Sequence, residues 1–411
     1  MLVHLLAALS AALPATAICP TGLFQSADGH EQVVIVARPT APYRYTFLDG
    51  RRGEVGAAGS PLTCAEGKLS NAGKADGWSR VEVRSTETSF QSHGANLGGT
   101  LLEPSGPGPH PLVVFVHGSE RTSPLAGSYP LLLVAQGISV FAYDKRGTGR
   151  SVGEYTQNFE LLADDAAAAM TEARRAAAGR FDRTGYFGGS QGGWIAPLAA
   201  TRSQADFVAI GFGLMASPID EDREQVLTEM REKGYGDPAL SEARKVAKAT
   251  AALVRSRFTR GFEQIVEAKR LYGAKPWFTQ IEGEFTGAVL REKEADLRRL
   301  GPALFDNLEL IWDYDSRPTI AKLKIPQLWI LAEADREAPP ETTLAALQQL
   351  RDKGSDLAIY SFPETDHGMV EFAQAADGSR THTRITDGYF RLLGDWIKGE
   401  TRGSYGRARR R

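Results

Sequence analysis

Past residue 80 the chain alternates short, unbroken apolar runs with longer stretches of helical period. Val81–Arg84, Gly99–Leu102, Leu112–Val116, Ser139–Tyr143, Gly185–Gly188, Val208–Phe212, Leu328–Leu331 and Leu357–Ser361 predict strands. Several of these runs carry no polar residue, as parallel strands covered on both faces require. Phe159–Ala177 and Gly192–Thr201 predict helices between them. Such alternation argues for an α/β fold built on a doubly wound, mostly parallel sheet. Between Met215 and about Ile320 the alternation stops, and Leu227–Glu232, Leu240–Phe258, Phe262–Leu271 and Phe285–Leu300 read as helices. The division expected is therefore a core of residues 80–213 and 321–411 interrupted by an inserted helical cap, 214–320. Most of the cap aromatics (Tyr272, Trp277, Phe278, Phe285, Trp312 and Tyr314) are expected in its own core, with some apolar surface turned to a site below. Residues 18–79 are rich in Gly and polar turns, with β-like runs at Val33–Val36 and Tyr43–Phe47 and a turn signal at Leu48-Asp49-Gly50-Arg51. They predict a small β-rich module.

Composition removes several function classes. Forty-eight basic and fifty acidic side chains leave a formal charge of −2, which gives nucleic acid no broad electrostatic footprint. The only basic cluster, Arg407, Arg409, Arg410 and Arg411, is expected to be a solvated, frayed end. No apolar run after the first residues reaches the roughly 20 needed to span a bilayer. Met1 to Ala17 differs: it has no Lys, Arg, Asp or Glu, an apolar centre from Leu5 to Leu13, and a small-x-small end at Ala15-Thr16-Ala17. That pattern predicts a cleaved signal peptide over 1–17 and a secreted or periplasmic protein. The only cysteines are Cys19 and Cys64, and an even count after an export signal predicts one disulfide. None of Asn71, Asn96, Asn158 and Asn307 heads an Asn-x-Ser/Thr sequon, which favours a bacterial envelope.

The sharpest chemical signal is Tyr186-Phe187-Gly188-Gly189-Ser190-Gln191-Gly192-Gly193-Trp194. It holds Gly-x-Ser-x-Gly between a predicted strand and a predicted helix, the context this motif requires. A nucleophilic serine must stand on a tight turn, and Gly188 and Gly192 let strand and helix approach. A serine hydroxyl needs a base to become reactive near neutral pH. His367 follows a predicted sheet strand by five residues, in a loop at a strand's C-terminal end, where α/β ligand sites form. His382, in a polar stretch, is the weaker candidate. Asp335 follows the strand Gln327–Leu331 and is the expected orienting carboxylate. Glu333 and Glu337 read as solvated loop charges, and Asp366 is too close in sequence to aim at its neighbour's ring. The backbone N–H groups of Ser119 and Gln191 are candidate oxyanion donors, with His117 and Gly118 shaping the loop that carries the first. Asp144 and Arg146, in Tyr143-Asp144-Lys145-Arg146-Gly147-Thr148-Gly149-Arg150-Ser151, are expected to fasten neighbouring backbone. The glycines of that loop do not fit a dinucleotide fingerprint, since Gly153 falls one position late.

Together, His117-Gly118, the Tyr143–Ser151 loop, Gly188-x-Ser190-x-Gly192-Gly193, Asp335 and His367 resemble the α/β-hydrolase superfamily. More narrowly they resemble its secreted carboxylesterase-like branch with an N-terminal β module and a helical lid. The resemblance covers roughly residues 80–213 and 321–400 and reaches the cap only in placement. It implies a serine esterase acting through an acyl-enzyme on a small-molecule ester, with neither metal nor organic cofactor. A peptidase or an acyltransferase of the same superfamily is the alternative. Where that branch usually carries another glycine after His-Gly, this chain has Glu120, which would place a carboxylate near the acyl side of a substrate.

Overall fold

The computed structural model describes residues 19–38, 42–72, 77–305 and 309–411, and the expected signal segment lies outside them. Five short strands, β1 (Gly22–Ser26), β2 (Gln32–Val36), β3 (Arg44–Phe47), β4 (Arg52–Glu54) and, after the hairpin β5 (Leu62–Ala65)–β6 (Lys68–Asn71), β7 (Trp78–Arg80), form an antiparallel sheet ordered β4-β3-β2-β1-β7. Side chains alternate across a strand, so Val33 and Ile35 enter a local core with Phe24, Phe47, Leu62 and Trp78. Val34 and Leu23 point the other way, into the core of the main sheet. Cys19 and Cys64 are disulfide-bonded, with Cα atoms 5.5 Å apart, and tie the start of the described chain to β5. Closing a loop of 45 positions is worth about 4 kcal/mol if the bond acts by restricting the unfolded chain.

Among the described residues the main sheet has nine strands, the ninth supplied by the end of the chain. β8 (Val83–Ser92) and β9 (Ala95–Pro104) form a long antiparallel hairpin, followed by β10 (His110–Val116), β11 (Ser139–Tyr143), β12 (Phe181–Gly189), β13 (Phe207–Gly211), β14 (Gln327–Ala332) and β15 (Leu357–Phe362). The order is β15-β14-β13-β12-β10-β11-β9-β8, parallel from β15 through β11 and antiparallel beyond, which is the strand arrangement of the α/β-hydrolase fold. The strand expected over Val81–Arg84 instead begins at Val83 and runs on to Ser92 along the sheet's edge. Its Ser, Thr and Glu residues alternate to solvent and leave no apolar run to read. The inner strands are apolar throughout because both faces are covered. Leu112, Val114 and Val116 pack on α2 (Phe159–Ala177) and α3 (Gly192–Ala200), while Val113 and Phe115 pack on α1 (Tyr129–Val134) and, at the far end of the chain, the helix Tyr389–Lys398. α2 forms as its pattern predicts. Asn158 caps it through the amides of Glu160 and Leu161, and Phe159, Leu162, Ala163, Ala166, Met170 and Ala173 make one buried stripe.

Between β13 and β14 the chain folds into α4 (Pro218–Glu232), α5 (Asp237–Arg255), α6 (Phe262–Tyr272), α7 (Thr286–Arg291) and α8 (Glu294–Phe305), around a hydrophobic cluster of their own. The single helix expected over Phe285–Leu300 is two, since Glu292 adopts extended backbone with ψ 152°. After α9 (Arg317–Lys322) and α10 (Pro340–Asp352), the small sheet β16 (Thr365–Asp366), β17 (Val370–Gln374), β18 (Arg380–Ile385) precedes α11 (Tyr389–Lys398). Among the described residues, no helix is long and apolar enough to cross a membrane.

The arginine tail corrects an expectation. It is not frayed: β19 (Arg409–Arg410) pairs antiparallel with β15. Arg409 and Arg411 hold Glu333, the former at 3.1 Å, and Arg407 pairs with Glu364 and, at 3.3 Å, with Glu371. Glu333 is accordingly a buttress rather than a free loop charge, and it also accepts from Ser361 Oγ at 2.7 Å. Sequence-level charge counting misses this because the acidic partners lie far away in the chain.

Candidate active site

Ser190 stands where β12 ends and α3 begins, with φ of 51°, a left-handed conformation that L-residues seldom adopt. The turn holds because strand and helix touch. A Cβ on Gly188 would collide with the Gly192 carbonyl, and one on Gly192 would stand 2.5 Å from the Val116 oxygen. Strain of this kind persists only where the surroundings enforce it, and it projects the hydroxyl out of the sheet edge.

The loops after β14 and β15 bring the other two side chains to it. His367 Nε2 lies 3.1 Å from Ser190 Oγ, and His367 Nδ1 lies 3.0 Å from Asp335 Oδ2 and 3.2 Å from Oδ1. Asp335 is buried, and its Oδ1 also accepts from the Ala338 amide at 2.7 Å, which fixes the carboxylate in its loop. Asp366 accepts from the backbone N–H of His367 at 2.9 Å and of Arg336 at 3.1 Å and pairs with Arg380 at 2.8 Å, so it anchors the histidine's turn. His382 contacts that same Asp366, at 3.2 Å. Phe212 meets the His367 ring edge-on at 5.2 Å between centroids. With Nδ1–H donating to Asp335, Nε2 is left to accept from Ser190, an assignment made from the hydrogen-bond network.

The His117–Glu120 loop borders the same cleft as Ser190 and His367. His117, Gly118, Ser119 and Glu120 line a cleft of about 350 Å³ together with Ser190, His367 and Glu337. Among the described residues, the amides of Ser119 and Gln191 donate to no protein acceptor. Burial lowers the pKa of His117, and its Nδ1 is 3.6 Å from Glu120 Oε1, an ion-pair distance rather than a hydrogen bond. Burial works against the Glu120 charge, but His117 and Lys145 outweigh it and its carboxyl falls below the usual range. The glycine-rich loop behaves partly as expected. Asp144 Oδ2 accepts from the Arg150 amide at 2.8 Å, but Arg146 does not fasten backbone. Its guanidinium grips the Asp165 carboxylate of α2 at 2.6 and 2.8 Å, both groups being buried. A planar fork meeting a carboxylate is the geometry arginine favours in a desolvated pair.

The cap aromatics lie mostly in the cap's own core, as expected, but the apolar surface of the cleft comes from elsewhere. Phe115, Tyr129, Phe187 and Phe212 of the core supply it, whereas Trp277, Phe285 and Trp312 are consumed in the core of the insertion. What the insertion brings toward the site is a pair of carboxyl groups, Glu221 and Glu284, held toward their neutral form. Burial raises the pKa of Glu221 and of Glu284, and repulsion between them, and with Glu337 and Asp335, adds to this, while His367 acts in the opposite sense on both. Glu337 is 62% exposed, yet its Oε2 is 3.5 Å from His367 Nε2, the nitrogen that faces the serine. Burial disfavours charge on His367, but Asp335, Glu337 and Glu221 outweigh it and hold the pKa at about 9. A general base must be neutral, so activity is expected to rise with pH and to level off only above about pH 9. Removing an anion weakens the imidazolium. Glu337→Gln is therefore expected to move the acid limb of the kcat/KM profile roughly one unit to lower pH while the plateau changes little. An unmoved limb would remove Glu337 from the electrostatics of the base.

Sequence reading missed Lys145, Tyr155, Glu221, Glu284 and the role of Glu337. Lys145 alone carried a signal, a lysine inside a strand-terminating Gly-rich loop. Among the described residues, no group of three or more His, Cys, Asp and Glu side chains is placed to hold a metal ion.

Residues 107–251 match the family described as Serine aminopeptidase, S33. No curated protein matches the chain. Among solved structures, an esterase of Pyrococcus furiosus aligns at 13% identity over 70% of this chain and 84% of its own, with a TM-score of 0.45. The acylaminoacyl peptidase of Pyrococcus horikoshii aligns at 15% identity over 92% of this chain but only 49% of its own, with a TM-score of 0.48. A proline iminopeptidase-related protein of Thermus thermophilus aligns at 21% identity over 69% and 90%, with a TM-score of 0.39.

Proposed function

We propose that the protein is a serine hydrolase that cleaves carboxylic esters through an acyl-enzyme. The observation that carries this reading is the single relay Ser190 Oγ, His367 Nε2, His367 Nδ1, Asp335 Oδ2, with successive contacts of 3.1 and 3.0 Å across the ring. Ser190 Oγ attacks the ester carbonyl as His367 Nε2 takes its proton, and the carbonyl oxygen becomes an alkoxide held by the Ser119 and Gln191 amides. Collapse breaks the carbon–oxygen bond to the alcohol, which leaves with the proton from His367. Water then gives a proton to His367, attacks the acyl carbon, and releases the acid as the proton returns to Ser190. Each oxyanion donor contributes about 3 kcal/mol to lowering the barrier. The Cys19–Cys64 bridge supports work in an oxidising, secreted or periplasmic compartment, where disulfides persist.

The test is a panel of p-nitrophenyl esters from acetate to palmitate beside aminoacyl-p-nitroanilides, with a fluorophosphonate probe. Esters are expected to give the larger kcat/KM, and the probe is expected to add to Ser190 alone. A second reading, an aminopeptidase, is favoured by one observation. Glu337, exposed and 3.5 Å from His367 Nε2, would receive a protonated amine. Anilides turned over faster than esters would select that reading.

A further inference from the structure

The side chain of Lys145 is buried at the end of β11 and takes no direct part in the proposed reaction. Its ammonium donates to the carbonyl oxygen of Gly118, and its Nζ stands 3.5 Å from Gln191 Oε1. These are the two places from which the oxyanion would be held. The Gly118 carbonyl and the Ser119 N–H belong to one peptide unit, and no cis bond occurs among the described residues. In a planar trans peptide the C=O and the N–H point in opposite directions. A donor that fixes one therefore aims the other. Gly118 stands against the serine: a Cβ built on it would lie 3.4 Å from Ser190 Cβ and 2.6 Å from Glu120 Oε2.

From this geometry we infer that Lys145 is a positioning residue that aims the Ser119 amide, and steadies the Gln191 segment, at the oxyanion formed on the substrate carbonyl. Two further observations support it. Tyr155 Oη donates to the Ser119 carbonyl, so the next peptide of the loop is pinned by the same Gly-rich segment that carries Lys145. The Lys145 ammonium also lies 5.5 Å from the centre of the Tyr155 ring. A hydrogen bond to the carbonyl also polarises the peptide, which makes its N–H the stronger donor. Without the tether, the Gly118–Ser119 unit has a glycine at its pivot and a carboxylate, Glu120, beside it. Rotation would turn a carbonyl oxygen toward the nascent alkoxide, and misplacement by about 1 Å is enough to cost on the order of 100-fold in rate.

The inference rests on the serine-hydrolase reading, and its test separates the two. A trifluoromethyl ketone labelled with 13C at the carbonyl, added to the wild-type protein, is expected to give a Ser190 hemiketal whose 13C shift titrates at a depressed pKa. No adduct on the wild type would sink the hydrolase reading itself. Given the adduct, Lys145→Met is expected to lower kcat for p-nitrophenyl acetate by about 10- to 100-fold with KM within about threefold. It is also expected to raise the hemiketal pKa by one to two units, the same factor read on a bound species. A fall in kcat with an unmoved hemiketal pKa, or neither change, overturns the inference. Lys145→Gln restores an N–H donor without the charge and keeps the test alive if the Met variant does not fold. It is expected to retain more kcat and a lower hemiketal pKa than a variant lacking any donor. A Gln variant indistinguishable from wild type in both would mean that charge is not needed; one that folds, loses kcat and leaves the hemiketal pKa at the wild-type value overturns the proposal.

Discussion

Ser190→Ala is expected to lower kcat for ester substrates by about a million-fold, the scale seen when the nucleophile is removed from a serine relay. The fold should survive. Ser190 makes its left-handed turn because β12 and α3 press together at Gly188 and Gly192, not because of its hydroxyl. Alanine must adopt the same φ of 51° and carries the same Cβ penalty, so the melting temperature is expected to stay within a few degrees of wild type. Ser190→Gly would relieve that penalty and is expected to gain roughly 1 kcal/mol over the alanine variant. The pair thus reads strain and chemistry separately: both variants lose turnover, but only the glycine gains stability. Turnover by Ser190→Ala within a hundredfold of wild type would mean that the imidazole activates water directly and that no acyl-enzyme forms.

The parts of the fold and site that were legible in the sequence share a physical reason. Leu112–Val116 and Phe159–Ala177 wear their environments locally, the first because both its faces are covered, the second because one stripe of it is. Ser190 announced itself through glycines whose necessity is steric, and Asp335 and His367 through their positions just beyond sheet strands. What stayed hidden is set by contacts between distant segments. Arg146 reaches Asp165 on α2 instead of nearby backbone, and Arg409 and Arg411 find Glu333 across the sheet edge. Glu337 read as an exposed loop charge, and it is exposed; only the spatial arrangement puts it 3.5 Å from the base. The insertion misled in another way. Most of its aromatics fill its own small core, as expected, but the apolar surface expected over the site comes from the α/β core instead, and the side it turns to His367 is marked by Glu221 and Glu284.

That surplus of carboxylates makes the role of Asp335 a sharper question than in a site with only one. Glu337 also supplies negative charge at His367, so orientation is what Asp335 alone adds. Asp335→Asn is expected to lower kcat by about ten-thousandfold. Its Oδ1 accepts from the Ala338 amide at 2.7 Å, a position only the amide oxygen of asparagine can fill. The Nδ2 group then takes the place of Oδ2, 3.0 Å from His367 Nδ1, and donates to it. The ring proton must move to Nε2, where it faces Ser190 Oγ at 3.1 Å and leaves nothing there to accept the serine's proton. Loss of the anion also lowers the His367 pKa from about 9, so the acid limb of the profile should shift down together with the collapsed plateau. Glu337→Gln is expected to shift the limb with the plateau intact, so the two variants separate charge from orientation. If Asp335→Asn instead keeps its plateau within tenfold and only its limb moves, the carboxylate acts through charge alone, and Glu337 can stand in for it.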